Sequence, residues 1–426
     1  MPPPPGSVPK TMPLPSTSSS FSSPFPPSGR RGSGPGGLGI LPDTVLVQIF
    51  QTVSRHDLCS VSRLNRRCHA LADAVLYKTV QFLTPELHLL FSESLSRRPR
   101  RGSAIHDIKL AYPASELSRL APSAHHHAPG PGPGHASASF GFDSLSRALS
   151  TMSNLENLDV EVPEALLHGI GQLFNGPFDL ACLRSCTLFY QADNDDYWDL
   201  RENIHVFAHP TLETLTIRRA KLDYRGFDLM ERPHMTALKR LHLIECDIND
   251  DALSDLLVFP KALKEFVMTQ LPEPVPELEE SSDNIRHYFS ALTSARESLE
   301  SITIDFPTLR GPRALRLREF EALRSLRINW DYHLLGSTSK KPRVESVGLP
   351  PELEALEFFN PLGTDDEVTE LLVSMIQTVH VTARHLTTLT VVEGDDGVPK
   401  EVLEACKAQP QLTLDIIGQM DVDSDD

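Results

Sequence analysis

The chain has 426 residues, 40 Lys and Arg against 57 Asp and Glu, and a formal net charge of −17. That surplus of acid excludes non-specific binding to DNA, RNA or anionic lipid without a local basic patch, because phosphate contacts draw on Lys and Arg. No run approaches the roughly 18 consecutive apolar residues of a membrane helix, and Met1-Pro2-Pro3-Pro4-Pro5 has no charged-then-apolar secretion signal. Hydrophobic residues make up 40% of the chain, enough for a core. The length exceeds the roughly 250–300 residues over which one core keeps growing, so two domains or an elongated repeat are expected. The six cysteines include no Cys-x-x-Cys pair and fall in apolar-looking segments. They read as reduced, buried thiols of the cytosol or nucleus, with no disulfide frame and no metal site.

Residues 1–39 read as a disordered tail, since 27 of them are Pro, Gly or Ser and the first acid is Asp43. The spacing Gly32-x-Gly34-x-x-Gly37 formally fits a dinucleotide fingerprint, but no strand–turn–helix surrounds it and the match is accidental. From Ile40 to about Phe82 the pattern predicts three short helices. Val45, Leu46, Ile49, Phe50 and Val53 form one apolar stripe, Leu58, Val61 and Leu64 a second, and Cys68, Leu71, Ala72, Val75 and Leu76 a third. A unit of about forty residues without metal or disulfide needs a partner surface to be stable.

Beyond it the pattern becomes periodic. A degenerate Leu-x-x-Leu-x-Leu triplet recurs at Ile105/Ile108/Leu110, Leu155/Leu158/Val160, Leu183/Cys186/Leu188, Leu212/Leu215/Ile217 and Leu238/Leu241/Leu243. It continues at Leu263/Phe266/Met268, Leu299/Ile302/Ile304, Leu323/Leu326/Ile328, Leu353/Leu356/Phe358 and Leu386/Leu389/Val391. One short strand per unit, with amphipathic helical stretches between, is the signature of a leucine-rich solenoid over residues 100–417. Ala220 and Cys246 stand at the Asn/Cys ladder place. Helices are expected at 142–152, 164–174, 250–259, 285–296, 365–385 and 400–408. Low-complexity loops are expected at 113–139, around His125-His126-His127, and at 271–283, with an acidic tail at 418–426.

Residues 41–77 resemble an F-box. The carrying residues are Leu41-Pro42, Ile49-Phe50, Asp57-Leu58, Leu64-Asn65-Arg66-Arg67-Cys68, Leu71-Ala72 and Leu76-Tyr77, with Cys68 where the family places an aromatic. An F-box followed by irregular leucine-rich repeats is similar to many fungal F-box proteins. The fold expected is therefore α/β: a small all-α three-helix F-box, then a solenoid with parallel strands on its concave face and helices on its convex face. The resemblance implies a substrate receptor of an SCF-type cullin–RING ubiquitin ligase, docking on a Skp-family adaptor and through it a cullin. It implies that Leu41, Pro42, Val45, Leu46, Ile49, Phe50, Leu58 and Val61 build or contact the adaptor interface. Internal packing demands the same residue types, so Val45, Phe50 and Val61 fit either use.

Side chains alternate along a strand, which places Thr187, Phe189, Thr216, Arg218, His242, Ile244, Glu265, Thr303, Asp305, Arg327, Asn329, Glu357 and Phe359 on the concave face. Aromatics and Arg are enriched in interface hot spots. Substrate contacts are accordingly expected from Phe189, Tyr190, Arg218, Arg219, His242, Arg327, Trp330 and Phe359. The arginines either form a basic spot for an acidic protein partner or are ordinary surface charges paired with nearby Glu.

No nucleophile elbow, His-Glu-x-x-His or phosphate loop is present, so no catalytic residue, cofactor or metal is expected. Asp193, Asp195 and Asp196 lack the Gly and distal Glu of a calcium loop. Arg97-Arg98-Pro99-Arg100-Arg101 and Lys340-Lys341-Pro342-Arg343 resemble nuclear-import signals more than nucleic-acid patches, so the expected location is cytoplasmic or nuclear. The rival reading is a repeat scaffold without a ubiquitin role, whose N-terminal helices only cap the solenoid.

Overall fold

The computed structural model describes residues 40–112, 148–164, 172–174, 180–192, 196–223, 235–271, 284–306, 315–329, 348–362 and 366–418. The described residues divide into two units, the boundary falling between Thr52 and Val53. In the first, helix α1 (Asp43–Gln51) begins after Pro42, whose carbonyl accepts the N–H of Val45 and Leu46 at 3.1 Å. Asp43 in the first turn opposes the positive end of the helix dipole. Leu46 and Phe50, one turn apart, are buried, while Ile49 turns the other way and is 39% exposed.

The second unit starts with α2 (Arg55–Val61) and α3 (Arg66–Lys78). Ser54 caps α2, its Oγ accepting from Asp57 N–H at 3.2 Å and donating back to the Asp57 carboxylate at 2.8 Å. Asn65 Oδ1 caps α3 by accepting from Cys68 N–H at 2.8 Å. The chain then goes straight from α3 into an extended strand, β1 (Thr79–Phe82), followed by helix α4 (Pro85–Arg97). The sequence pattern left 83–99 without an element, and α4 fills it, starting at a Pro in its first turn.

All ten triplets fall where strands form. With β1, they are β2 (Asp107–Ala111), β3 (Asn157–Pro163), β4 (Ser185–Gln191), β6 (Thr214–Arg218), β8 (Arg240–Ile244), β10 (Glu265–Thr269), β11 (Ser301–Asp305), β12 (Ser325–Ile328), β13 (Ala355–Pro361) and β14 (Thr388–Val392), with β15 (Thr413–Ile417) last. They make one sheet in the order β1-β2-β3-β4-β6-β8-β10-β11-β12-β13-β14-β15. Every pairing is parallel, so each strand needs a return segment to reach the start of the next.

The returns include helices Asp250–Leu256, Ile285–Leu292, Asp366–Thr382 and Lys400–Lys407, with 3-10 turns at Leu200–Ala208 and Leu317–Glu319. Asn249 and Asn284 cap the first two helices through their Oδ1 atoms. The helices expected at 142–152 and 164–174 lie largely outside the described residues, and what is described of the second is a 3-10 turn at Gln172–Phe174. One continuous core runs between the sheet and its returns, from Phe82 to Leu412. Along β6, β8 and β10 the triplet residues point into it and the residues between them stay half-exposed, as period-two alternation requires, whereas Thr303 of β11 is buried and Arg327 of β12 exposed.

A second, three-stranded parallel sheet joins β5 (Trp198–Asp199), β7 (Ala220–Leu222) and β9 (Asp247–Ile248) beside the main one. To pass from β6 to β7 and from β8 to β9 the backbone turns a corner at Arg219 and Glu245, both with positive φ (51° and 55°). For residues other than glycine that conformation costs on the order of 1–2 kcal/mol. The corner is held in several ways. Arg219 N–H donates to Ile244 O at 3.0 Å, Trp198 N–H to Arg219 O at 3.1 Å, and Glu245 N–H to Thr269 Oγ1 at 2.8 Å. Arg219 Nε also lies 2.9 Å from Glu245 Oε2. Arg219 therefore serves the corner, its guanidinium paired with Glu245.

At the entrance of each strand runs a ladder absent from the triplet pattern. Arg184, Glu213, Lys239, Lys264, Glu300, Arg324 and Glu354 each donate a backbone N–H to the equivalent carbonyl of the preceding repeat, at 2.7–2.9 Å. Their side chains pair along the same row: Lys239 with Glu213 at 2.7 Å, Lys264 with Glu300 at 2.6 Å, Arg324 with Glu354 at 3.5 Å. The Lys239 hydrogen bond holds the Glu213 carboxyl below the ordinary range for Glu. Glu300→Lys would set a third cation between Lys264 and Arg324, placing like charges on both adjacent strands. It is expected to cost on the order of 1 kcal/mol, read as a lower urea midpoint that recovers partly in high salt.

Candidate functional site

In the first unit, Ile40 (70% exposed) and Ile49 present apolar surface to solvent, Leu41 and Val45 are half-buried, Pro42 is exposed, and Leu46 and Phe50 are buried. In the second, Leu58 is buried, Val61 half-buried and Leu64 exposed. Leu46, Phe50 and Leu58 are thus packing residues, and Ile49 carries the accessible apolar surface of α1. Ile40 and Leu64 are accessible in the same way without having been singled out as contact residues. Their signal was the apolar residue type beside a turn. Cys68, at the family's aromatic position, is buried, so its small thiol faces inward.

The other candidate surface is the face of the main sheet turned away from the core, which belongs to the second unit. Register places Lys109, Asp159, Thr187, Thr216, His242, Val267, Thr303, Arg327 and Glu357 side by side on successive strands. The basic ionisable groups of this row are paired with a neighbouring carboxylate. Lys109 Nζ is 2.7 Å from Asp159, His242 Nε2 3.1 Å from Glu265, and Arg327 2.8 Å from Glu357. The Asp159 hydrogen bond raises the Lys109 pKa. Asp305, largely buried, has its carboxyl pushed up by that burial against the opposing pull of the Asn329 hydrogen bond and Arg327. Lys109 and Asp159 were missed as face residues, although the alternation rule applied to the first two triplets would have found them.

Arg218 differs. Its guanidinium stacks over Phe189 at 5.0 Å and, among the described residues, has no carboxylate at ion-pair distance. Arg327 stacks likewise over Phe359 at 5.1 Å while keeping Glu357. The structure therefore brings Phe189 and Arg218 together, and Arg327 and Phe359 together, on the open face with His242. Tyr190 is not with them. It shares the parity of Cys186 and Leu188, is fully buried, and packs edge-on against Trp198 at 4.8 Å. Its place is the core, a correction that follows from strand alternation. Trp330 lies outside the described residues, as do Asp193, Asp195, the 125–127 histidines and Lys340–Arg343.

Four of the six thiols are buried, but Cys59 and Cys182 are exposed, contrary to the expectation for all six. Burial pushes the Cys246 thiol up to about 12 and raises those of Cys186 and Cys406. A chromogenic disulfide reagent at pH 8 is expected to label two thiols rapidly in the native protein and all six in urea. Rapid labelling of three or more would contradict the packing.

Residues 38–82 match the F-box-like family model. No curated protein matches the chain. Among solved structures it is similar to the crystal structure of the Rad7 and Elc1 complex in yeast, at 13% identity and a TM-score of 0.39, covering 89% of this chain and 94% of that one. The N-terminal helices with their solvent-facing Ile40, Ile49 and Leu64 are thus an F-box-like domain at residues 38–82, followed by a large parallel sheet with helical returns.

Proposed function

We propose that the chain is the substrate-recognition subunit of an SCF-type cullin–RING ubiquitin ligase. The F-box-like domain docks on a Skp-family adaptor, and the parallel strand-and-return units act as leucine-rich repeats whose open face holds a protein substrate. The observation that carries this reading is the F-box-like match at 38–82. The solvent-facing Ile49 on α1 supports it, because an apolar side chain left in water is what a docking surface supplies. The chain itself is non-enzymatic, works in the cytoplasm or nucleus, and leaves ubiquitin transfer to the other subunits. Leu41, Pro42, Val45 and Ile49 contact the adaptor, while Leu46, Phe50 and Leu58 shape the helices that carry them.

The rival, a repeat scaffold capped by its N-terminal helices, draws support from β1. That strand follows α3 without a break and pairs with β2 at the edge of the sheet, and Arg101 stacks over Tyr77 of α3 at 5.2 Å. The two readings separate in affinity purification of the full chain with a Skp-type adaptor and cullin. The Leu41→Ala/Pro42→Ala double variant loses the adaptor if the first reading holds. Under the second, wild type captures no adaptor and the variant changes only stability.

A further inference from the structure

On the helix layer, away from the open face of the sheet, a cavity of about 200 Å³ lies between the helix Ile285–Leu292 with its 3-10 extension and the 3-10 turn Leu317–Glu319. Its helix side is a stripe at helical spacing that begins at Arg286 and ends at Arg296. The opposite wall brings Arg316 and Glu319. Three guanidiniums therefore surround one carboxylate, and two positive charges are left uncompensated among the described residues.

The pairs that do form are loose. Arg296 is 3.9 Å and Arg316 3.6 Å from Glu319, whereas Lys109–Asp159, Lys239–Glu213 and Lys264–Glu300 close to 2.6–2.7 Å. Arg286 makes no ion pair among the described residues. On a chain of net charge −17 the long-range field repels anions, and a local cation cluster is a device that attracts one. Guanidinium forks match the oxygens of a phosphate in geometry as well as charge. Below the cations, Phe289 and Phe320 meet edge to face at 6.0 Å and form an apolar floor.

We propose that this cavity is an oxyanion site that takes a phosphomonoester group. Such a group carries about −1.5 to −2 at neutral pH, matching the two unbalanced cations. The arginines hold its oxygens, and the aromatic floor seats whatever ring or chain the phosphate is attached to. The volume exceeds that of a bare phosphate, so an organic ester is favoured over the inorganic ion.

The test is isothermal titration of the full chain at fixed ionic strength with inorganic phosphate, phenyl phosphate and a phosphoserine peptide, repeated with Arg286→Gln/Arg316→Gln and, as a remote control, Arg97→Gln. Saturable binding of phenyl phosphate, tighter than inorganic phosphate and weakened at least about tenfold in the double variant only, supports a small-molecule source. Binding of the peptide alone, with the same sensitivity, supports the same chemistry supplied by a protein. Absence of saturable binding by either ester, or binding unchanged in the double variant, overturns the proposal. These substitutions remove exposed or half-exposed side chains, and an unchanged thermal midpoint shows that the fold is retained.

Discussion

Ile49→Glu is expected to abolish capture of a Skp-type adaptor by the full chain while lowering its thermal midpoint less than truncation of a fully buried residue of the same helix does. Ile49 lies on α1 with 39% of its surface in water, so the fold gains less from it than from a fully buried residue. Burying the remaining 39% of such a side chain in a partner is worth roughly 0.6–1.2 kcal/mol, the matching share of about 1.5–3 kcal/mol for a whole side chain. A carboxylate in its place adds the cost of desolvating a charge, so affinity falls by about a hundredfold or more. The informative contrast is Leu46→Ala. Leu46 is 1% exposed, and its truncation costs about 2–5 kcal/mol of packing, so it lowers both stability and capture. If Ile49→Glu retains full binding, α1 does not meet the adaptor, and the reading of the N-terminal helices as a docking module fails.

The same contrast explains what could be read from the sequence and what could not. Apolar spacing located α1, α2, α3 and ten strands, because burial on one face leaves its period in the residues whatever the tertiary detail. The period could not separate Leu46 from Ile49, since packing and docking select the same side chains. It passed over β1 and β15, at the two edges of the sheet, where Val80 and Leu414 are only partly buried and the triplet fades. The short strands β5, β7 and β9 hold two or three residues each, too few for any alternation to register. The charged ladder was legible in principle, because in eight of the ten triplets the residue after the first leucine is Glu156, Arg184, Glu213, Lys239, Lys264, Glu300, Arg324 or Glu354. Its meaning needed the register. On the open face, Arg218 and Arg327 have the same residue type and strand position-parity, and the neighbouring strand decides that Glu357 neutralises one and Phe189 supports the other.

Arg218 is also tied to the core from behind, which gives the second large effect. Trp198, fully buried, donates from Nε1 to the Arg218 carbonyl at 2.7 Å, and its ring packs against Tyr190. Trp198→Ala removes a large buried side chain and the donor together, and is expected to cost about 3–5 kcal/mol in urea unfolding. Trp198→Phe keeps most of the apolar volume but leaves the carbonyl without that donor, for about 1–3 kcal/mol. If the two variants cost the same, the hydrogen bond dominates. If Trp198→Phe is neutral, the carbonyl has found another partner and the tie is dispensable. A real tie has a further consequence on the far side of the strand. The Arg218 guanidinium would lose its fixed position over Phe189, so any acidic ligand of the open face should bind more weakly to Trp198→Phe than to wild type, although residue 198 is itself buried beneath the sheet.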